Sequence, residues 1–258
     1  MQKPGNLRQA PETTHRLFVD CPLASGDVAV LDSAQQNYLL NVLRLPEGAR
    51  LLVFNDRDGE FRARLTLASR RSAALAVEEP TRPQPAASTL TYMFAPLKHA
   101  RLDYMVQKAV EMGVGALAPV ITTRTQTARV NLERMRANAI EAAEQCGILS
   151  LPQIAPEQPL AKALAAMPAN RLLIFCDEDA PVADPLAALR AAAASQPASI
   201  AVLIGPEGGF DDSERALLLR RPNTLRLSLG PRVLRADTAA VAALAIVQAA
   251  LGDWGGAR

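Results

Sequence analysis

Leu203-Ile204-Gly205-Pro206-Glu207-Gly208-Gly209-Phe210 is the stretch on which the reading of this chain turns. About one strand later comes a second of the same kind, Leu229-Gly230-Pro231-Arg232-Val233-Leu234-Arg235-Ala236-Asp237-Thr238. Each is a turn bearing glycine and proline that closes an apolar, strand-like run and opens a helix-like one. Glycine reaches positive φ and has no Cβ in the way, so such turns let a ligand touch bare backbone. In an open α/β sheet, ligands sit in the loops beyond the strand C-termini. Two of these loops in close succession predict one pocket built from both.

Outward from these turns the chain alternates strand and helix. Leu90–Ala95, Ala116–Ile121, Leu172–Cys176, Ile200–Ile204 and Thr224–Leu229 read as buried strands. Between and around them, helices are predicted at 100–112, at 160–167, 183–195 and 212–221, and finally at 238–251. A further helix begins at an Asn131 cap, carries Leu132, Met135, Ala139, Ile140 and Ala143 on one stripe, and ends at Gly147. Gly113 is the expected stop of the helix before Ala116, and Asp211 with Glu214 spells a capping box. Continuous apolar strands alternating with helices predict a mostly parallel sheet with helices on both faces, an α/β fold.

Before residue 85 the pattern is different. Arg16–Val19, Asp27–Val30, Arg50–Asn55, Glu60–Ala68 and Ala73–Glu78 are short β runs, and Asp56-Arg57-Asp58-Gly59 reads as a hairpin turn. One helix, Ser33 to Leu43, interrupts them, with Ser33 as its expected N-cap. Glu79-Pro80-Thr81-Arg82-Pro83-Gln84-Pro85 carries three prolines in six positions and predicts a stiff linker. Two domains are expected, 1–85 and 86–258.

Composition narrows the function. The net charge is only +2, which excludes a strongly polybasic protein, but the charge is uneven. Between 98 and 136, seven cations (Lys98, Arg101, Lys108, Arg124, Arg129, Arg134 and Arg136) face only Asp103, Glu111 and Glu133, and from 215 to 235 there are six arginines and no acid. Such a surface suits a phosphate-bearing partner. The three cysteines, Cys21, Cys146 and Cys176, are far apart, which argues against a disulfide framework and for a reducing compartment. With two histidines and no CxxC or HExxH, no metal site is expected. The first thirty residues hold no apolar run of signal-peptide length. Ala239 to Val247 falls far short of the roughly 20 residues of a membrane span. A soluble, cytoplasmic protein is expected.

Gly205-Pro206-Glu207-Gly208-Gly209 is neither GxGxxG nor GxxxxGK[ST], so neither a nicotinamide nor an ATP site is supported. Read alone, these glycines do no more than turn the chain. The second turn shifts the balance, because Arg232, Arg235 and Asp237 lie between a buried strand and a buried helix, where charge is costly unless paired or used. An Arg235–Asp237 or Arg232–Glu207 pair stapling the two loops is the structural alternative.

Further motifs complete a resemblance. His15-Arg16-Leu17-Phe18-Val19 and Val42-Leu43-Arg44-Leu45-Pro46-Glu47-Gly48 stand in the first part. Lys98, Arg101, Gln107-Lys108-Ala109-Val110-Glu111-Met112-Gly113-Val114 and Ala139-Ile140-Glu141-Ala142-Ala143-Glu144-Gln145-Cys146-Gly147 stand in the second, ahead of the two turns. In this order and spacing the chain resembles the RsmE-type 16S rRNA (uracil-N3) methyltransferases of the SPOUT class. It departs from that family at Tyr38, where a histidine is usual, and at Asp237, where a glutamate is usual.

The resemblance implies a PUA-like β-barrel over 1–85 that binds RNA, and a SPOUT methyltransferase domain over 86–258 with a trefoil knot and a homodimeric assembly. It implies S-adenosylmethionine as methyl donor, bound at Cys176, Gly205, Pro206, Gly208, Gly209, Leu229, Gly230 and Leu234. The implied partner is 16S rRNA or the small ribosomal subunit, met by Arg16, Arg44, Lys98, Arg101, Lys108, Arg124 and Arg232. Uracil N3 carries a proton and is a poor nucleophile until it leaves, so an acceptor or a cation favouring the uracil anion is needed. Arg235, Asp237 and Glu207 are the expected catalytic groups. Asp237 either accepts the proton or orients the group that does, while an arginine steadies O2 or O4. The rivals are a related methyltransferase acting on tRNA or on a ribose 2′-OH, a non-catalytic RNA-binding protein, and another nucleotide-using α/β enzyme.

Overall fold

The computed structural model describes residues 12–69, 72–127, 129–181 and 184–255. The chain forms two compact units. One runs to Ala86 and also takes in Ala143–Ser150; the other comprises Ala87–Ala142 and the chain from Leu151 onward.

The first unit holds β1 (Glu12–Phe18), β2 (Val28–Val30), α1 (Ser33–Asn37), β3 (Arg50–Phe54), β4 (Glu60–Ser69) and β5 (Ser72–Arg82). They form a five-stranded sheet in the order β1-β3-β4-β5-β2, antiparallel except for the β1–β3 pair. Alternate residues of the strands, among them Leu17, Ala29, Leu51, Val53, Leu65 and Leu75, share one apolar core with Leu39. The β3–β4 hairpin is built around a side chain. Asn55, buried at the end of β3, accepts from the Arg57 and Asp58 amides and donates to Asp58 and to the Cys21 carbonyl.

Two expectations for this unit are corrected. The cap of α1 is Asp32, not Ser33: Asp32 is extended, its carboxylate accepts from the Gln35 amide, and Gln35 returns the bond. The helix then relaxes at Tyr38–Val42 into a π-turn, closed by Leu43 N–H to the Tyr38 carbonyl. The expected proline linker is largely strand, since β5 continues to Arg82. Pro80 sits opposite Phe61 at a shift of register, where a strand tolerates a residue without an N–H. Thr81 and Arg82 beyond it are tied to Glu60.

The second unit contains β6 (Leu90–Phe94), α2 (His99–Glu111), β7 (Ala116–Ile121), α3 (Leu132–Cys146), β8 (Gln153–Ile154), β9 (Gln158–Pro159) and α4 (Leu160–Ala166). There follow β10 (Leu172–Cys176), α5 (Pro185–Ala193), β11 (Ile200–Ile204), α6 (Asp212–Arg220), β12 (Thr224–Leu227) and α7 (Ala236–Leu251). The last turn of α3 groups with the first unit. Every recorded strand pair of this sheet is parallel, in the order β12-β10-β11-β6-β7-β8 with β9 also on β7.

Strand alternation divides the apolar side chains between two layers. Met93, Leu173, Phe175, Ala201 and Leu203 meet Leu160 and Leu164 of α4, Leu218 of α6 and Phe210 of the turn before α6. On the other face Tyr92 donates to the Met105 sulfur of α2, and α7 packs between α2 and α5. A buried amide secures α7 against α2: Gln248 donates to the Met112 carbonyl at 2.6 Å. The expected caps Asn131 and Asp211 are both formed. Among the described residues, no helix is long and apolar enough to cross a membrane.

Candidate functional site

The order of the second sheet places β11 between β6 and β10, so the chain leaves these central strands in different directions. Beyond the carboxyl ends of β10, β11 and β12 lies a cavity of about 290 Å³. Its apolar lining includes Ile204, Phe210, Leu227, Leu229, Leu234 and Ala239, and residues of the turns 205–207, 228–230 and 232–236 make up much of the rest. Gly209 (φ 71°) and Gly230 (φ 104°) are left-handed and a Cβ at either would meet no close neighbour, so both turns need glycine for their path rather than for space.

Gly205 serves another purpose. A Cβ there would lie 2.5 Å from the ring of Phe210, which packs edge-on against Phe175. Among the described residues, the amides of Leu229, Gly230, Arg232, Val233 and Leu234 donate to no protein acceptor. Backbone groups at a cavity wall without a protein partner are met by water or by a ligand.

The charges around this cavity fall into two groups. Asp177, 2% exposed and directly after β10, is gripped by Arg226 (2.7 and 3.0 Å) and Arg215 (3.0 Å). Cys176 beside it stays a neutral thiol, because burial and then the Asp177 carboxylate push it up to about 12. The second group centres on Arg101 of α2. Its guanidinium makes two 3.1 Å bonds to Asp237, in the first turn of α7, and a third to Glu207. These hydrogen bonds hold both carboxyls below the usual carboxylate range. The two stapling pairs considered from the sequence do not form; Arg101 takes both carboxylates, while the side chains of Arg232 and Arg235 are exposed and make no hydrogen bond among the described residues.

Of the residues expected at a donor site, Cys176, Gly205, Pro206, Gly209, Leu229, Gly230 and Leu234 line the cavity, with Glu207, Arg232 and Arg235. Gly208 does not: its carbonyl accepts from Arg124 at 2.6 Å, and a Cβ would lie 3.3 Å from the Arg124 Cδ. Asp237 reaches this region through Arg101 rather than lining the cavity. Lys98, Arg101 and Arg124 gather with Pro206 and Glu207 around a smaller cavity of about 60 Å³.

The remaining cations expected to meet RNA are placed differently. Lys108 is paired with Glu111 on its own helix. Arg16 donates to buried Glu60 at 2.9 Å, and Gly147 leaves room for its guanidinium. Arg44 is exposed, in a left-handed conformation (φ 53°). Sequence reasoning missed Asp177, Glu178 and Arg215 as wall residues; the signal was the run of three acids, Asp177-Glu178-Asp179, directly after an apolar strand.

The parallel sheet with a cavity at its carboxyl edge is an RNA methyltransferase domain, and the small β unit before it a PUA domain, by the families they match. The model of the RNA methyltransferase domain family matches residues 84–248, and that of the RNA methyltransferase PUA domain matches residues 31–78. Ribosomal RNA small subunit methyltransferase E of Rickettsia conorii is 32% identical over 235 residues, covering 91% of this chain and 95% of the relative. The chain belongs to the ribosomal RNA small subunit methyltransferase E family. The Neisseria gonorrhoeae family member, solved bound to S-adenosyl methionine, has a TM-score of 0.82 and is 26% identical, covering 94% of this chain and all of that one. A Legionella pneumophila protein solved with bound SAM has a TM-score of 0.75 and is 29% identical, over 92% of this chain and 98% of that one. The resemblance read from the sequence thus holds over nearly the whole chain.

Proposed function

We propose that this protein transfers a methyl group from S-adenosylmethionine to N3 of one uridine in 16S rRNA. The observation that carries the reading is the cavity beyond β10, β11 and β12, with unpaired backbone amides on its wall and the Arg101–Asp237–Glu207 cluster beside it. Its residues fit the donor. Ile204, Leu227 and Ala239 offer apolar surface to an adenine, the free amides of Leu229, Gly230, Arg232, Val233 and Leu234 offer it edge contacts, and Glu178 and Glu207 offer negative charge to a sulfonium. Bound there, the donor supplies an electrophilic methyl group for in-line displacement.

The chain's own task is to place the uracil and stabilise its anion. Correct placement of reacting groups supplies on the order of 7–11 kcal/mol of a barrier. Asp237 is ionised and hydrogen-bonded, which makes it a weak proton acceptor. Its role here is to hold Arg101, together with Glu207. Arg101 or the unpaired Arg235 then steadies O2 or O4 as the N3 proton leaves for solvent. Gly208 and Asp237 drop out of direct contact with the donor and the proton.

The first unit binds rRNA on this reading, with Arg44 exposed for it. The protein works in the cytoplasm on the small subunit or its rRNA as a homodimer, with the knotted chain path of the SPOUT class. Val233, 85% exposed beside the cavity, is an apolar group free for a second copy. The test is transfer from labelled S-adenosylmethionine to undermethylated small subunits and to naked 16S rRNA, followed by nucleoside analysis. 3-Methyluridine at a single position is expected. Label on ribose, or on tRNA alone, would overturn the reading, and sedimentation of the pure protein decides the dimer.

A further inference from the structure

A second cavity, also of about 290 Å³, opens between the start of α2 and the start of α3. Leu97, Leu102, Val130 and Met135 give it an apolar interior, and Lys98 and Arg129 stand at its wall. Its single acid, Asp103, is already neutralised: Arg134 holds it with two bonds of 2.6 and 2.8 Å, and Asn138 adds a third. The side chains of Lys98 and Arg129 make no hydrogen bond or ion pair among the described residues. An apolar slot with uncompensated cations is chemically matched to a flat, uncharged ring carried on a phosphate chain.

The position of this cavity gives it a place on the strand. It shares Leu97, Lys98 and Thr127 with the 60 Å³ cavity, which in turn shares Pro206 and Glu207 with the donor cavity. One furrow therefore runs from the donor site, past Arg101 and Arg124, to the second cavity. We propose that this second cavity takes the base of an unstacked nucleotide close along the RNA strand to the methylated uridine, with Lys98 and Arg129 on its phosphates. The proposal rests on the functional reading above and adds a second point at which the RNA strand is gripped. Two seated bases set the strand's direction and offset across the furrow, which a single flipped base does not.

The test uses the full chain and 16S rRNA fragments, each with one abasic nucleotide near the methylated uridine. The unaltered protein should lose affinity, by about 10-fold for one lost stacking contact, at one position besides the target. Val130→Trp, which fills the slot, should bind intact RNA about 10-fold more weakly and be indifferent to the abasic change at that position. A flat scan with the unaltered protein, or the same abasic penalty in Val130→Trp, overturns the proposal.

Calorimetric binding of S-adenosylmethionine reports whether each variant is folded. Should Val130→Trp fail that control, Arg129→Glu and Lys98→Glu decide: each must weaken RNA binding and flatten its salt dependence by about one unit of slope. An unchanged slope in both counts against the site. Failure of the functional reading looks different, as absence of methyl transfer by the unaltered protein to any 16S rRNA substrate. The same binding comparison then decides the slot with whichever RNA the protein takes.

Discussion

The Glu60 cluster of the first unit and the Arg101 cluster of the second are near mirror images in composition and opposite in design. In the first, one carboxylate serves two arginines: Glu60, 3% exposed, accepts from Arg82, Arg16 and Thr81. Burial alone would raise its pKa, but those hydrogen bonds bring it down to about 2. In the second, one arginine serves two carboxylates, and all three side chains remain partly in solvent. A carboxylate buried with every lone pair used is a fastener. An open cluster beside a cavity, with a surplus of negative charge and an exposed Arg235 nearby, is poised to rearrange around a ligand.

The contrast breaks most visibly at Arg101. Arg101→Ala should lower methyl transfer by about 100-fold or more, the scale of losing one charge-stabilising donor, while calorimetry shows S-adenosylmethionine still binding. If transfer survives, the open cluster is only another fastener. Asp237→Asn should do less, about 10-fold if it merely orients Arg101; complete loss of turnover would return Asp237 to the role of proton acceptor.

Glu60→Gln tests the other side. It should cost the first unit about 3 kcal/mol in urea unfolding, because two arginines lose their partner, and leave turnover per folded molecule unchanged. The pH dependence has a definite sign. A carboxyl with a depressed folded pKa stabilises above its ordinary value of 4.5, and that stability is lost as pH falls toward about 2. Acid unfolding of Glu60→Gln should lack that share. The smallest effect separates two glycines, one from each turn. Gly230→Ala forces a left-handed alanine and should weaken S-adenosylmethionine binding by about 5- to 10-fold, from roughly 1 kcal/mol of strain. Gly208→Ala, outside the cavity wall, should leave donor affinity nearly unchanged.

Much of the fold was legible because it is written locally. The apolar runs at Leu172–Cys176 and Ile200–Ile204, the Asp211 capping box and the two glycine turns each state their structure within ten residues. What escaped was pairing over distance. Arg101 meets Asp237 across 136 positions, and nothing in either neighbourhood names the other. Arg16 looked like an RNA contact for the same reason, since its partner Glu60 lies 44 positions away. Pro80 misled differently: proline usually ends a strand, but the register shift opposite Phe61 removes the need for its missing N–H. Asp177 went unnoticed because a buried acid is intelligible only once Arg215 and Arg226 are beside it.

The Gln248–Met112 bond has a mechanical consequence. Arg101 and Met112 are eleven positions apart along α2 and its end, and Asp237 and Gln248 are eleven apart along α7. The two helices therefore resemble the rails of a ladder with a polar rung at each end, roughly 16 Å apart at 1.5 Å per residue. Sliding one rail by a single residue breaks both rungs together, so neither helix can drift a little. The alignment of a guanidinium beside the cavity is thus set partly by an amide at the far end of the same pair of helices.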